Sequence, residues 1–238
     1  MLKTQPFIRA TLFYVLFVMT VFPVVIACWP LIFISRRVPF FIFATGTKML
    51  IVLMRTFLGI RVRFENLEIL RKLQQDYPCF ILAPKHQSEI ETLIFSTLLK
   101  SFRIIYKKEI NKVPFVSSYM QRMNFIAIDR TAGRKTIQSL IDEGLQSVAD
   151  NVPILIFPEG TRTAFGERGR YHAGVALMYD AMKVPILPVA HNAGQFFTQH
   201  SFVKTPGDIV FRFLPPILPG LSTRDALKEL EAKIEGDM

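Results

Sequence analysis

Cysteine is scarce in this chain: Cys28 and Cys79 are the only two among 238 residues. That rules out a disulfide scaffold, and neither has a metal-ligand neighbour, so both read as small buried hydrophobes. The four histidines, His86, His172, His191 and His200, show no H-E-x-x-H or paired spacing, and no metal site is expected. A G-x-S-x-G elbow is absent, which argues against a serine hydrolase. The chain also lacks a Walker A sequence and a G-x-G-x-x-G, so no nucleotide-phosphate cradle is signalled. Acidic residues are few, 19 Asp and Glu against 29 Lys and Arg, giving a net charge of +10. No nucleic-acid-binding module accompanies that charge, and nucleic acid is not expected as a partner.

What the chain does have is apolar sequence: 50% hydrophobic residues, 22 of them Phe. This excludes disorder and points to a membrane-associated class. The basic excess is concentrated, since residues 1–135 carry 20 basic and 7 acidic residues while 136–238 carry 9 and 12. Ala10 to Ser35 are 26 consecutive residues without a charge. A helix of that length reaches roughly 39 Å, more than the ~30 Å core of a bilayer. It is too long for a signal-peptide core and lacks a cleavage pattern, so it is expected to be retained. Pro23 and Pro30 are expected to interrupt a straight span. A second apolar stretch, Val38 to Ile60, keeps Thr45, Lys48, Arg55 and Thr56 within about 100° on a helical wheel. It suits either an interfacial helix among anionic headgroups or a helix packed on a globular domain with solvated cations.

Beyond residue 60, short apolar runs alternate with helical patterns. Strands are predicted at Arg61–Phe64, Cys79–Ala83, Arg103–Tyr106, Phe125–Ile128, Pro153–Phe157, Pro185–Ala190 and Ile209–Phe213. Helices are predicted at Ser88–Leu99, Thr131–Asp150, His172–Met182 and Ser222–Ile234. This is an α/β pattern with a largely buried, mixed sheet in a single domain. The expected division is a membrane-anchoring helical segment over 1–58 and one catalytic domain over 59–238.

Four elements carry chemistry. In Lys85-His86-Gln87-Ser88-Glu89-Ile90-Glu91, His86 follows a strand directly, and a carboxylate within reach would make it a general base near neutral pH. Residues five apart on one helix are about 140° out of phase, so His86 and Glu91 can meet only with His86 in the loop and Glu91 in the first helical turn. Ser88-x-x-Glu91 is also a capping box, which competes for the same carboxylate. The second element, Phe157-Pro158-Glu159-Gly160-Thr161-Arg162, ends a strand with a carboxylate, a glycine, a hydroxyl and a guanidinium suited to a phosphate. A solvated turn would read the same way. Arg130 also stands at a strand end, and the fourth element, Val184–Ala190, reads equally well as an ordinary core strand.

In this order the four elements resemble the glycerolipid acyltransferase family, most closely bacterial 1-acyl-sn-glycerol-3-phosphate acyltransferases. The family's N-H-x-x-x-x-D is matched by Lys85, His86 and Glu91, and F-P-E-G-T-R appears letter for letter at Phe157–Arg162. The strand-end arginine is matched by Arg130, and V-P-I-x-P-V by Val184–Val189. Glu91 stands where the family usually has Asp, Lys85 where Asn is common, and Asn124 near the place of a frequent glycine.

The resemblance implies an acyltransferase domain in which His86 takes the proton of the acceptor's sn-2 hydroxyl as it attacks an acyl thioester, with Glu91 orienting the imidazole. It implies that Glu159, Gly160, Thr161 and Arg162 bind the phosphate and glycerol of lysophosphatidic acid, with Lys107, Lys108 and Arg130 adding positive charge. Cofactors are not implied; acyl-CoA or acyl-carrier protein is the cosubstrate, and membrane lipids surround the enzyme. The implied location is the bacterial inner (cytoplasmic) membrane, with the site on the cytoplasmic side. Two alternatives stay open: a different lysolipid acceptor, such as a lyso-aminolipid, or a non-catalytic protein that binds anionic lipid.

Overall fold

The first elements of the chain are apolar helices. In the computed structural model, which describes residues 4–129, 133–199 and 201–237, helix α1 (Thr4–Ala27) runs through Pro23 without ending. Pro30 opens a single 3-10 turn, Pro30–Phe33, where its missing N–H costs nothing. Helix α2 (Arg37–Leu53) follows and continues as a π-helical stretch, Met54–Leu58. It stops at Gly59, which adopts φ +68° and lies where a Cβ would meet Pro206 at 3.3 Å. Gln5–Ala27 and Arg37–Leu58 are each long and apolar enough to cross a membrane by length and composition.

The remaining elements alternate: β1 (Ile60–Glu65), α3 (Leu67–Asp76), β2 (Ile81–Pro84), α4 (Ile90–Phe95), β3 (Arg103–Lys107), α5 (Val116–Arg122) and β4 (Ile126–Ile128). Then come α6 (Arg134–Ala149), β5 (Ile154–Leu155), α7 (Gly174–Met182), β6 (Ile186–His191), α8 (Ala193–Phe196), β7 (Gly207–Phe213) and α9 (Thr223–Gly236). They build one seven-stranded sheet in the order β1-β7-β6-β2-β5-β3-β4. Five strands are mutually parallel, with registers such as Leu82 opposite Leu187 and Leu155. β7 runs antiparallel to β6, and β1 runs parallel to β7, so the sheet is mixed.

Alternation along the buried strands feeds two cores. Phe80, Leu82, Leu187, Val189, Ile209 and Phe211 face one side, where Ala10, Phe13, Leu50, Met54 and Leu58 join them. Ile81, Ala83, Ile186 and Ala190 face the other, against Val175, Met178, Ala226, Leu230 and Ile234. The apolar N-terminal helices are therefore part of the same core as the sheet. In the second segment Thr47, Leu50, Met54 and Leu58 are buried, while Thr45, Lys48, Arg55 and Thr56 are exposed. The segment thus packs one face on the sheet domain and turns its cations outward, together with exposed Phe41 and Val52.

Helix α1 is fastened at both ends. Near its start the Phe7 ring lies 5.2 Å from Phe202, and Phe13 lies 6.5 Å from Phe197. At its end the Tyr119 hydroxyl donates to the Val25 carbonyl at 2.8 Å, and in the turn that follows Arg122 Nε donates to the Ile32 carbonyl at 2.9 Å. Its outward stripe, Ile8, Leu12, Val15, Met19, Phe22 and Ile26, is exposed and wholly apolar.

Every strand expected from the sequence has an observed counterpart. The helix expected over Ser88–Leu99 contracts to α4, and Thr131, where another was expected to begin, lies outside the described residues. Helices α3, α5 and α8 were not anticipated. Cys79 is buried and Cys28 partly exposed, so only the first fits the expectation of a buried hydrophobe.

Candidate active site

Parallel strands bring the carboxyl ends of β2, β5, β6 and β3 to one edge of the sheet, the usual place for a site in an open α/β fold. At that edge the chain leaves β2 through Lys85 and His86 before turning into α4. His86 is in the loop and Glu91 is in the first turn of α4, the arrangement their spacing requires. His86 Nδ1 meets Glu91 Oε2 at 2.7 Å; the imidazole is 15% exposed and the carboxylate wholly buried.

The carboxylate's two oxygens divide two jobs. Oε2 holds the imidazole, while Oε1 accepts the backbone N–H of Gln87 at 2.7 Å and also that of Ser88. The reach back to the Ser88 amide is half of a capping box. The other half is missing, because the Ser88 hydroxyl donates to the Phe197 carbonyl at 2.9 Å. The two readings of Glu91 therefore coexist. Burial pushes the Glu91 carboxyl up, against the lowering by the two amides and by the charge of Arg162.

The imidazole is fixed by three further features. Its ring stacks on Phe157 with centroids 3.8 Å apart and planes 18° apart. Its backbone N–H donates to Glu159 Oε2 at 2.8 Å, and its carbonyl accepts from the Thr163 amide at 2.9 Å. The extra methylene of Glu91, relative to aspartate, is accommodated without loss of the contact. A carboxylate on Nδ1 assigns that nitrogen the proton and makes Nε2 the basic nitrogen.

The Phe157–Arg162 turn supplies two different kinds of group. Glu159 is predicted to bind substrate; it lies buried behind His86 with both oxygens engaged by protein groups. Besides the His86 amide, it accepts the Thr163 hydroxyl at 3.0 Å and lies 3.3 Å from Lys85 Nζ. Gly160 takes φ +65°, and a Cβ there would lie 3.3 Å from the His172 ring. Thr161 is exposed; Arg162 is one-third exposed, with Nη1 3.6 Å from Glu89 Oε1. Lys107 and Lys108 stand at the carboxyl end of β3, open to solvent, with Lys107 Nζ 3.7 Å from Glu109. Arg130 lies outside the described residues.

Sequence reasoning missed three participants. Phe157 stacks on the His86 ring, His191 at the end of β6 lies 3.5 Å from Glu91 Oε1, and Lys85 is wholly buried. The first two follow strands that were anticipated, so their position was legible though their contacts were not. Among the described residues no group of three His, Cys, Asp or Glu could hold a metal ion.

A buried carboxylate thus orients a strand-end histidine beside an arginine-bearing turn, the arrangement that a general base next to an anion site requires. The family model described as Acyltransferase matches residues 61–192, which contain every one of these groups. The chain belongs to the acyltransferase family. It is 32% identical over 215 residues to a 1-acyl-sn-glycerol-3-phosphate acyltransferase of Pseudomonas aeruginosa, covering 87% of this chain and 80% of that protein. A 1-acyl-sn-glycerol-3-phosphate acyltransferase of Saccharomyces cerevisiae is 27% identical, covering 78% and 61%. The fold matches the crystal structure of the 1-acyl-sn-glycerophosphate acyltransferase of Thermotoga maritima with a TM-score of 0.75 at 22% identity, over 97% of this chain and 93% of the other. This acyltransferase thus shares its architecture with a solved relative, N-terminal helices included.

Proposed function

We propose that the enzyme transfers a fatty acyl group from an acyl thioester to the sn-2 hydroxyl of 1-acyl-sn-glycerol-3-phosphate, forming phosphatidic acid. The observation that carries this reading is the His86–Glu91 contact at 2.7 Å beside Arg162. His86 Nε2 accepts the hydroxyl proton as that oxygen attacks the thioester carbonyl. Glu91 stabilises the imidazolium that forms. The C–S bond then breaks, and the imidazolium returns its proton to the thiolate. Arg162 and Thr161 receive the acceptor's phosphate, with Lys107 and Lys108 adding positive potential at the same edge. The donor is acyl-CoA or acyl-carrier protein, and no further cofactor is required for these steps.

Attachment to a membrane is part of the same proposal. The outward stripe of α1 is apolar from Ile8 to Ile26, yet both ends of the helix are tied to the catalytic domain. A helix fastened in this way fits a domain lying on the bilayer with that stripe sunk into one leaflet, as suits an enzyme whose acceptor and product are lipids. For a bacterial protein the surface would be the cytoplasmic face of the inner membrane, where the thioester donors are made.

The test is thiol release from purified protein in phospholipid vesicles, with acyl-CoA and acyl-carrier protein each offered against phosphate-bearing and phosphate-free lysolipids. Turnover is expected with 1-acyl-sn-glycerol-3-phosphate and a diacyl product. Equal turnover with phosphate-free acceptors would overturn the assignment of the acceptor, and full activity of His86→Ala would overturn the mechanism.

A further inference from the structure

Lys85 is a lysine with no exposed surface, immediately before the catalytic histidine. Burying an ammonium group is costly unless it is matched by charge and hydrogen bonds. Its Nζ lies 2.5 Å from Glu235 Oε1 and 3.3 Å from Glu159 Oε1. Glu235 sits at the far end of α9, 150 positions away in sequence. The Tyr171 hydroxyl donates to the same Glu235 oxygen at 2.8 Å. Burial and the neighbouring Glu235 carboxylate push the Tyr171 hydroxyl up, so it stays a donor.

The network has a direct outlet. Glu159 receives Lys85 on Oε1 and the backbone N–H of His86 on Oε2. The Lys85 backbone is held as well: its N–H donates to the Val189 carbonyl at 3.1 Å, and its carbonyl accepts from His191 Nε2 at 2.7 Å. Space around the network is closed. A Cβ on Gly169 would lie 2.4 Å from Glu159 Oε1 and 2.7 Å from Thr163. Helix α9 is itself secured, with Ala226, Leu230 and Ile234 buried and Ser222 accepting the Asp225 amide at its start. Glu235 therefore comes from a fixed element and not from a mobile tail.

We propose that Lys85 and Glu235 are positioning residues, through which the C-terminal helix fixes the loop that carries His86. Neither reaches the reacting atoms. Lys85 balances Glu159, and Glu235 balances Lys85 and sets where its ammonium lies, so that the Glu159 carboxylate stays aligned on the His86 amide. Removing Glu235 leaves Lys85 short of one acceptor in a dry site, free to draw Glu159 off that alignment. The imidazole then loses its register with Glu91 and substrate. The inference rests on the acyl-transfer reading for its rate effect and on geometry for the rest.

The experiment uses the full chain in vesicles, with wild type and His86→Ala measured first. Absence of thioester turnover in wild type would end the acyl-transfer reading by itself. With turnover established, Glu235→Ala is expected to lower kcat roughly 10- to 100-fold, the cost of slight misplacement of a catalytic group, with both KM values within about twofold. Glu235→Gln keeps an acceptor oxygen and is expected to recover most of that rate. A spectroscopic reading does not depend on turnover. The downfield His86 Nδ1 proton, assigned by its loss in His86→Ala, should shift or broaden in Glu235→Ala and return in Glu235→Gln. Should Glu235→Ala fail to fold, Tyr171→Phe removes one donor to the same oxygen, and a smaller kcat loss of about threefold at constant KM is expected. Wild-type kcat and an unmoved proton in a folded Glu235→Ala, wild-type values in Tyr171→Phe, or a Glu235→Gln as impaired as the alanine would overturn the proposal.

Discussion

Two histidines approach the same carboxylate from the ends of neighbouring strands and acquire opposite characters. His86, after β2, meets Glu91 Oε2 at 2.7 Å and keeps part of its ring exposed. His191, at the end of β6, faces Oε1 from 3.5 Å with no exposed side-chain surface. Its Nε2 donates to the Lys85 carbonyl, and its Nδ1 accepts the Ala193 amide at 3.3 Å. Both ring nitrogens are thus engaged by neutral backbone groups, and burial drives its pKa down to about 4. One imidazole sits where a substrate proton can arrive and has the carboxylate as its close partner; the other is closed to solvent, and its closest partner is the neutral Lys85 carbonyl. Proximity to a carboxylate does not make a general base. Access and the identity of the second partner decide.

That contrast can be broken most severely at His86. His86→Ala is expected to lower kcat by about 10³-fold or more without altering the fold, as the proton acceptor is gone. Steady-state thiol release and circular dichroism together check this. Glu91→Gln keeps the shape but not the charge opposite Nδ1, and a loss of roughly 10²-fold in kcat is expected. In the unaltered enzyme, kcat should fall toward acid as the Glu91 carboxyl takes up a proton and the charge opposite Nδ1 is lost. Since burial raises Glu91, that fall should begin at higher pH than an exposed carboxyl near 4.5 would give.

Arg162→Gln tests the open side of the site. A charge-assisted contact of about 1.5–3 kcal/mol corresponds to a roughly 10- to 100-fold rise in KM for the phosphate-bearing acceptor, with little change for a phosphate-free one. The smallest effect on rate is expected at His191, whose contribution belongs to stability. Its folded pKa of about 4 lies below the ordinary 6.5, so the unfolded chain binds the proton more tightly. The stabilisation by neutral His191 is complete above pH 6.5 and is lost as pH falls from 6.5 toward 4, an effect on the order of 3 kcal/mol. Thermal unfolding against pH should show this slope, and His191→Asn should flatten it while leaving kcat within a few-fold of wild type.

Much of this was legible before any coordinates. The strands were visible because β-branched and apolar runs such as Ile81–Ala83 and Ile186–Ala190 are bounded by prolines and turns. Helix α3 could have been found from Asn66 and the spacing of Leu67, Leu70 and Leu73, whereas α5 and α8 are too short for a periodic signal. At the site, His86 and Glu91 were visible as a pair of possibilities. Whether Glu91 capped the helix or held the imidazole could not be read from spacing, because a carboxylate has two oxygens and does both. Glu159 shared a motif with Arg162, yet the turn points one inward and the other toward solvent. A linear motif does not record that divergence.

The sequence by itself determined the α/β class, the apolar N-terminal helices, the acyltransferase motifs and His86 and Glu91 as candidates for one site. These depend on local periodicity and on residues within a few positions of each other. The tertiary structure alone decided that His191 is structural, that α1 is fastened along the domain instead of projecting from it, and that Glu235 reaches Lys85. Each of those rests on groups far apart in the chain that meet only when the sheet closes, and burial then sets their charge and their cost.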